Sequence, residues 1–450
     1  MSETALVVGF GGRSGVAAVN FLLKNGYMVI ANDIKKEETL QEYIEKVKEP
    51  DRVRFILGHH KTDILEGVTL VVLSPGVPSN IDIIRTAKEK GISVISEVEL
   101  GFRYHPENWI CITGTDGKST TTSLIGNIIK LKYPDSIIGG NLGIPITDLI
   151  MNAKKETFVV AELSSFQLEN IVDLKPRIGV LINIARDHLD RYDSFDEYVE
   201  AKLNLFKNQT EDDFSVFNKD NKLLMEWLGK RPVRSKRSFF SLAGPVDDGA
   251  CLEDGSFVFY SNKVKEVLFQ DGEQQIEGEH NKENILSAIT VSKLLKIETE
   301  FILNGIKSFK GLPHRMEMVR ELKKRRFFND SKATTSSAVR KSISGFENII
   351  LIMGGRDKGL DYSELNEVLN KRVKTLILTG ELKEKIKEDI SYPEDRIYII
   401  DDFTEAVQKA YEVSKEGDHI ILSPGGTSYD RFRNFEERGE TFKRIVNQLS

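Results

Sequence analysis

The sequence predicts an α/β protein of three domains, each built on a mostly parallel sheet with flanking helices. Three observations predict it. At 450 residues the chain is about three times a typical domain length of roughly 150 residues. Short apolar runs alternate with helical patterns, as they do where parallel strands are joined by crossovers. The alternation restarts twice, near Trp109 and after Gly311-Leu312-Pro313. The domains expected are therefore residues 1–97, 98–310 and 311–450.

In the first domain, Ala5–Val8 reads as a buried strand that ends in a glycine cluster. Val16–Asn25 carries helical spacing and stops at Gly26, a C-cap residue type. Met28–Ala31, Leu70–Leu73 and Ser93–Ile95 are further strands, and Ile83–Lys90 is a helix stopped by Gly91. In the second, Trp109–Thr113 is a strand running into a glycine loop, with a helix from Ser119 to Leu131. Phe158–Ala161 and Ile178–Ile182 are buried strands. From about Val216 to Ile276 the character changes, and Phe239–Leu242 and Ser256–Tyr260 read as short antiparallel strands. The third offers five strands: Arg326–Phe328, Ile349–Met353, Leu376–Leu378, Ile397–Ile400 and His419–Leu422. The whole reads as a Rossmann-like N-terminal domain, a P-loop ATPase-like central domain with a small β-rich excursion, and a Rossmann-like C-terminal domain.

Composition excludes several classes. Hydrophobic residues make up 40% and charged residues 29%, an ordinary globular mix. Two cysteines, Cys111 and Cys251, exclude a disulfide framework or a four-thiolate zinc site. Runs such as Thr69–Leu73 have strand length, too short to span a bilayer. The N-terminus lacks the basic and apolar regions of a secretion signal. A net charge of −6 argues weakly against non-specific nucleic-acid binding. A cytoplasmic protein with neither nucleic-acid nor membrane partner is expected.

The most specific motif is Gly114-Thr115-Asp116-Gly117-Lys118-Ser119-Thr120, between a strand and a helix. Backbone N–H groups of such a loop, with the helix N-terminus, cradle phosphate oxygens. Lys118 would neutralise phosphate charge and the Ser119 hydroxyl would bind Mg2+. The spacing departs from the standard phosphate loop, which has glycine where Ile112 stands. Glu162 ends a buried strand, where open α/β sheets place ligands; it reads equally as a Mg2+ ligand or a helix cap. The run Leu181–Asp190 puts Arg186, Asp187, His188 and Asp190 at another strand exit, a set able to bind metal and phosphate. Lys202 shares a helical segment with Phe195 and Tyr198, and by spacing alone is a solvated lysine. In the third domain, Gly311–Arg315, Asn329–Thr335, Met353–Gly359 and Leu422–Ser428 carry polar or cationic residues at a domain boundary and at three strand ends, consistent with an anion-reading site. The loop Gly9–Gly15 only slightly favours a nucleotide: a dinucleotide fingerprint has its third glycine where Ser14 stands, although Asp33 is placed to meet a ribose hydroxyl.

In this order the motifs resemble the ATP-dependent Mur ligases of peptidoglycan synthesis, over nearly the whole chain. The segments that carry the resemblance are Ser74-Pro75-Gly76, Asp187-His188-Leu189-Asp190-Arg191, Leu312-Pro313-His314-Arg315, Asn329-Asp330-Ser331-Lys332-Ala333-Thr334, Ser423-Pro424 and Asn434-Phe435-Glu436-Glu437-Arg438-Gly439. The Asp-Asn-Pro-Arg motif usual in diaminopimelate- or lysine-adding members is absent. Folylpolyglutamate synthases share the ATP core but lack the first-domain pattern.

The resemblance implies amide ligation through an acyl phosphate, with UDP-N-acetylmuramoyl-L-alanine, D-glutamate and ATP as substrates. It also implies two Mg2+ ions, replaceable by Mn2+, and a monomer. Residues Gly114, Thr115, Asp116, Gly117, Lys118, Ser119 and Thr120 would hold the triphosphate. Asp116 stands where Asn or His is commoner. Ser119 and Glu162 would bind one Mg2+ and His188 the second, with Lys202 carbamylated into an anion that attracts both. Asn141 would contact substrate and nucleotide, and Asn281 the adenine. His314 and Arg315 would reach the ATP, and Asp330 its ribose. Lys332, Thr334, Lys358, Ser428 and Phe435 would form the D-glutamate pocket; Arg13, Ser14, Asp33, Lys35 and Ser74, with Asn141 and His188, the UDP-sugar site. Lys118, Lys202, His188 and Asn141 are the expected catalytic group.

Three rival readings are weaker. A nicotinamide oxidoreductase leaves the Gly114 loop and the third-domain motifs unexplained. A nucleotide-switched binding protein would turn over ATP with no amino-acid dependence. A family member with another amino acid is nearer, but Lys332, Thr334 and Lys358 suit a second carboxylate, which favours glutamate over alanine. The D configuration rests on resemblance alone.

Overall fold

The computed structural model describes residues 3–186, 191–357 and 359–450. The chain divides into two compact units, Met1–Phe309 and Lys310–Ser450. The first unit holds two sheets. Strands β1 (Thr4–Val8), β2 (Met28–Asp33), β3 (Val53–Leu57), β4 (Leu70–Leu73) and β5 (Ser93–Ser96) form one. Its order is β3-β2-β1-β4-β5, all parallel, with the chain reversing direction of travel across β1 and β4. In doubly wound sheets ligands bind at that switch point, and both Gly9–Gly15 and Ser74 leave from it.

The second sheet comprises β6 (Trp109–Thr113), β7 (Ile137–Gly140), β8 (Val159–Glu162), β9 (Ile178–Leu181), β10 (Phe214–Asn218), β11 (Lys236–Ser241), β12 (Gly249–Glu253), β13 (Ser256–Ser261) and β14 (Val264–Gln270). Its order is β14-β13-β12-β11-β10-β9-β6-β8-β7. The β-rich segment expected as an excursion extends this sheet. β11, expected to be antiparallel, is parallel to both neighbours. The helix Lys222–Lys230 is the reason: it carries the chain back across the sheet between β10 and β11, as a parallel connection requires. Direction reverses only at β12–β13 and β13–β14. There Asp254-Gly255 and Asn262-Lys263 take positive φ, the backbone of tight hairpin turns.

One apolar cluster runs from Val7 and Phe21 beneath the first sheet through Val98, Phe102 and Trp109 to Leu181 and Phe206 of the second. The helix Glu97–Tyr104 between the sheets is pinned by Glu99. Its buried carboxylate accepts the N–H groups of Val172, Asp173 and Leu174 at 3.0, 2.8 and 3.0 Å.

The second unit holds β15 (Glu317–Leu322), β16 (Arg325–Asn329), β17 (Ile349–Gly354), β18 (Val373–Thr379), β19 (Ile397–Ile399) and β20 (His419–Gly425). The order is β15-β16-β20-β17-β18-β19. Only β15, which the sequence reading missed, is antiparallel to its neighbour. Among the described residues no helix is long and apolar enough to cross a membrane.

Candidate active site

β6 and β8 are neighbours, with Ile112 in register with Glu162. The Gly114–Thr120 loop and the Glu162 carboxylate therefore leave adjacent strand ends. Gly117 takes φ 79° as the cap of helix Lys118–Lys132, and a Cβ there would meet Asn284 Oδ1 at 2.6 Å. Only glycine satisfies both demands. Asn284 Oδ1 accepts the Thr121 hydroxyl at 2.9 Å, and its amide donates to Asn281 Oδ1 at 3.2 Å. Asn281 is thus joined to the phosphate-loop helix through one side chain.

The loop is also held from below. Asn183 Oδ1 accepts the backbone N–H groups of Thr115 and Asp116 at 3.0 and 2.8 Å. The Thr115 hydroxyl lies 3.0 Å from Tyr198 Oη and accepts Ala185 N–H at 2.9 Å. Lys118 Nζ donates to Gly114 O and Thr115 O at 2.9 and 2.8 Å. Lys202 Nζ donates to the same Gly114 O at 2.8 Å.

Lys202 is 2% exposed, with its ammonium 4.6 Å from the Tyr198 ring centroid. Tyr198 and Lys202 are four apart on helix Phe195–Leu203, capped by Ser194, so both point inward from one face. The solvated lysine that spacing alone suggested is corrected: this lysine is buried at the loop.

Glu162 is 2% exposed. Its Oε1 accepts Asn141 Nδ2 at 2.7 Å, and its backbone O accepts Asn141 N–H at 2.9 Å. Its Oε2 is buried with no hydrogen-bond partner among the described residues. An unmet buried carboxylate oxygen is costly unless a cation or donor fills its open side. The residue does not cap the following helix; Ser164 does, in a capping box with Gln167. Of its two sequence readings, the cap is therefore excluded. Among the described residues no three His, Cys, Asp or Glu side chains cluster to hold a metal. His188 and Lys358 lie outside the described residues.

In the first sheet, Asp33 is 6% exposed and accepts Gly11 N–H and Lys35 N–H at 2.7 and 2.9 Å. It orders the glycine loop. The Ser74 hydroxyl donates to Gly9 O at 2.8 Å. Arg13 reaches the second sheet, where Nη1 donates to Gly143 O at 3.1 Å in the Asn141 loop. Lys35 is exposed and Ser14 half-buried.

The second unit gathers its own group. His314 is 6% exposed, with Nδ1 2.9 Å from Asn329 Nδ2 and its ring edge-on to Phe435. A Cβ on Gly439 would meet that Nδ1 at 2.1 Å, so the glycine permits the approach. Lys332 Nζ lies 5.9 Å from the Phe435 ring centroid. Asp330 accepts Ser423 Oγ at 2.8 Å and Met316 N–H at 3.2 Å, and burial pushes its carboxyl up to about 6. Ser428 is buried, Thr334 and Arg315 half-buried.

Sequence reasoning gave Arg438 no role. Its guanidinium is 3% exposed and donates to Ser331 Oγ and O at 2.9 and 2.8 Å and to Gly426 O at 3.1 Å. It ties two strand-end loops together, and burial pulls its pKa down to about 10. Asn183 and Tyr198 were missed likewise; Tyr198 was legible as the residue one turn before Lys202.

The chain belongs to the Mur ligase family, a family of ATP-dependent ligases. It matches the Mur ligase MurD-like N-terminal domain over residues 3–96, the Mur ligase middle domain over 112–292 and the Mur ligase glutamate ligase domain over 314–426. It is 43% identical over 451 residues to the UDP-N-acetylmuramoylalanine--D-glutamate ligase of Thermoanaerobacter sp. (strain X514), covering 99% of this chain and 98% of that one. The enzyme of that name from Clostridioides difficile (strain 630) is 38% identical over 450 residues, 99% of each chain. The MurF ligase of Thermotoga maritima, solved in complex with ADP, shares the fold at TM-score 0.60 and 16% identity, covering 94% of this chain and 96% of that one. The UDP-N-acetylmuramate-alanine ligase MurC of the same organism does so at 0.59 and 18%, covering 99% of each.

Proposed function

We propose that this chain joins D-glutamate to the alanyl carboxyl of UDP-N-acetylmuramoyl-L-alanine, with ATP converted to ADP and phosphate, in cytoplasmic peptidoglycan precursor synthesis. Residues 1–97 would bind the UDP-sugar, 98–310 the ATP, and 311–450 the amino acid. The observation that carries the reading is the pairing of a phosphate-type loop with the half-satisfied Glu162 carboxylate at adjacent strand ends. Relatives that match the chain along its whole length supply the substrates.

The mechanism follows from charge. A carboxylate and a triphosphate repel, so phosphoryl transfer needs cations between them. Lys118 would leave Gly114 O and Thr115 O for the triphosphate. Bound through Ser119 and Glu162, with His188 and a carbamylated Lys202 at a second position, Mg2+ would neutralise the charge between the two reactants. Asn141 would hold Glu162 and the substrate carboxyl in one orientation. The acyl phosphate so formed has a good leaving group, and the amine of D-glutamate displaces phosphate to give the amide. Lys332, Thr334, Lys358, Ser428 and Phe435 would orient that amino acid through its carboxylates.

The test is phosphate release from Mg·ATP with UDP-N-acetylmuramoyl-L-alanine and D-glutamate, L-glutamate, D-alanine or no amino acid. The reading requires release that depends on D-glutamate. Release indifferent to the amino acid would return the chain to the nucleotide-switch class.

A further inference from the structure

Residues 74–79 leave β4 at the switch point of the first sheet, and residues 165–170 follow β8 of the second. Arg191 stands between them. Its Nη1 donates to Pro75 O at 2.8 Å and its Nη2 to Val77 O at 3.2 Å. The guanidinium carbon lies 3.9 Å from the Phe166 ring centroid. Glu169 completes the junction: Oε2 accepts Ser79 Oγ at 2.6 Å and Oε1 accepts Tyr192 Oη at 2.7 Å. Asn170 Nδ2 donates to Ser79 Oγ at 3.0 Å. The Arg191–Glu169 approach is long, 3.9 Å, and each side chain is 19% exposed.

The chemistry is selective for arginine. The direct ion pair is weak at that distance and exposure, and the guanidinium's donors are spent on two carbonyls, those of Pro75 and Val77, with one residue between them. A planar fork meets both while its face lies on Phe166; a lysine ammonium has neither the flat face nor the spread donors to keep all three contacts in this geometry. The loop it holds is in turn locked to the glycine loop. Ser74 Oγ donates to Gly9 O at 2.8 Å, and a Cβ on Gly9 would strike Val77 Cγ2 at 2.5 Å. A continuous path of contacts thus runs from Gly9 through Ser74 and Val77 to Arg191, and on to Phe166, four residues after Glu162.

We infer that Arg191 is a positioning residue that fixes the Ser74–Ser79 loop, and with it the sugar-nucleotide substrate, against the β8 exit that carries Glu162. The substrate half of this inference rests on the proposed function; the loop half does not.

Two measurements on the full chain separate them. In Arg191→Lys, amide hydrogen exchange in residues 74–80 should rise about tenfold, the loss of a charged hydrogen bond's worth of local stability, while exchange in 118–132 stays at the wild-type rate. Steady-state kinetics should show the KM for the UDP-sugar raised about tenfold, with the KM for ATP within twofold. Unchanged exchange in 74–80 overturns the inference whatever the substrate is. Faster exchange with an unchanged UDP-sugar KM, or an equal rise in every KM, overturns the substrate half. A wild-type chain that does not turn over the UDP-sugar defeats the proposed function and leaves exchange to decide the loop.

Discussion

Asn141 donates its side-chain amide to Glu162 Oε1 at 2.7 Å, and the second oxygen of Glu162 is buried with no partner among the described residues. One oxygen is held by Asn141, and the proposed role of the other is to take Mg2+. Glu162→Gln should therefore abolish most of the Mg2+-induced rise in melting temperature and raise the Mg2+ needed for turnover by about tenfold or more. Without Mg2+ the variant should be no less stable than wild type, because an unmatched buried charge is removed. Thermal unfolding with and without Mg2+ reads both effects; a full Mg2+ shift in the variant contradicts the metal role.

Lys202 is buried against Gly114 O and the Tyr198 ring. Lys202→Ala should lower turnover by about 100-fold, the upper range for losing metal-site support. Bicarbonate or a short carboxylic acid should restore part of it by replacing the anion. Wild-type turnover in the variant would sink the carbamate.

Lys118 bonds to loop carbonyls at Gly114 and Thr115. Gly114 O keeps Lys202 as a donor when Lys118 is removed. Lys118→Ala should cut phosphate release by about 100-fold or more. Near-normal release would mean that the loop does not hold the triphosphate.

Glu97 is fully buried where the two sheets of the first unit meet. Its Oε1 accepts the Thr147 N–H and hydroxyl, both at 2.6 Å. Burial pushes its carboxyl up from the ordinary 4.5 to about 7, and nearby Asp148 adds to the shift. The folded chain thus holds this proton more tightly than the unfolded chain. Its contribution is complete below the unfolded value and is lost as pH rises from there through 7, by on the order of 3 kcal/mol. Glu97→Gln should flatten that part of the profile. Urea unfolding between pH 5 and 8 measures the difference, and parallel profiles for the two proteins would contradict it.

What was legible in the sequence follows from burial. β1, β6, β8, β9, β17 and β20 are nearly continuous apolar runs because both faces are covered. The strands it missed include β3, β7, β14 and β15, all at sheet edges. There charged residues such as Arg54 and Lys265 break the run. The Gly114–Ser119 loop was readable because glycine, lysine and serine at fixed offsets have a backbone reason to be there. The burial of Lys202 was not, because its acceptor is a carbonyl 88 residues away. Arg191 and Arg438 stand in segments that carry the resemblance, but their contacts were opaque for the same reason: most are to backbone oxygens, which leave no mark on the sequence of the partner segment.

The central claim is that ATP activates the substrate carboxyl. The direct measurement is isotope transfer: UDP-N-acetylmuramoyl-L-alanine labelled with oxygen-18 in the alanyl carboxylate, incubated with the protein, Mg·ATP and D-glutamate. Formation of an acyl phosphate predicts one labelled oxygen in each phosphate released, together with the glutamyl amide. Amide formed with unlabelled phosphate, or phosphate released with no amide, would contradict the account.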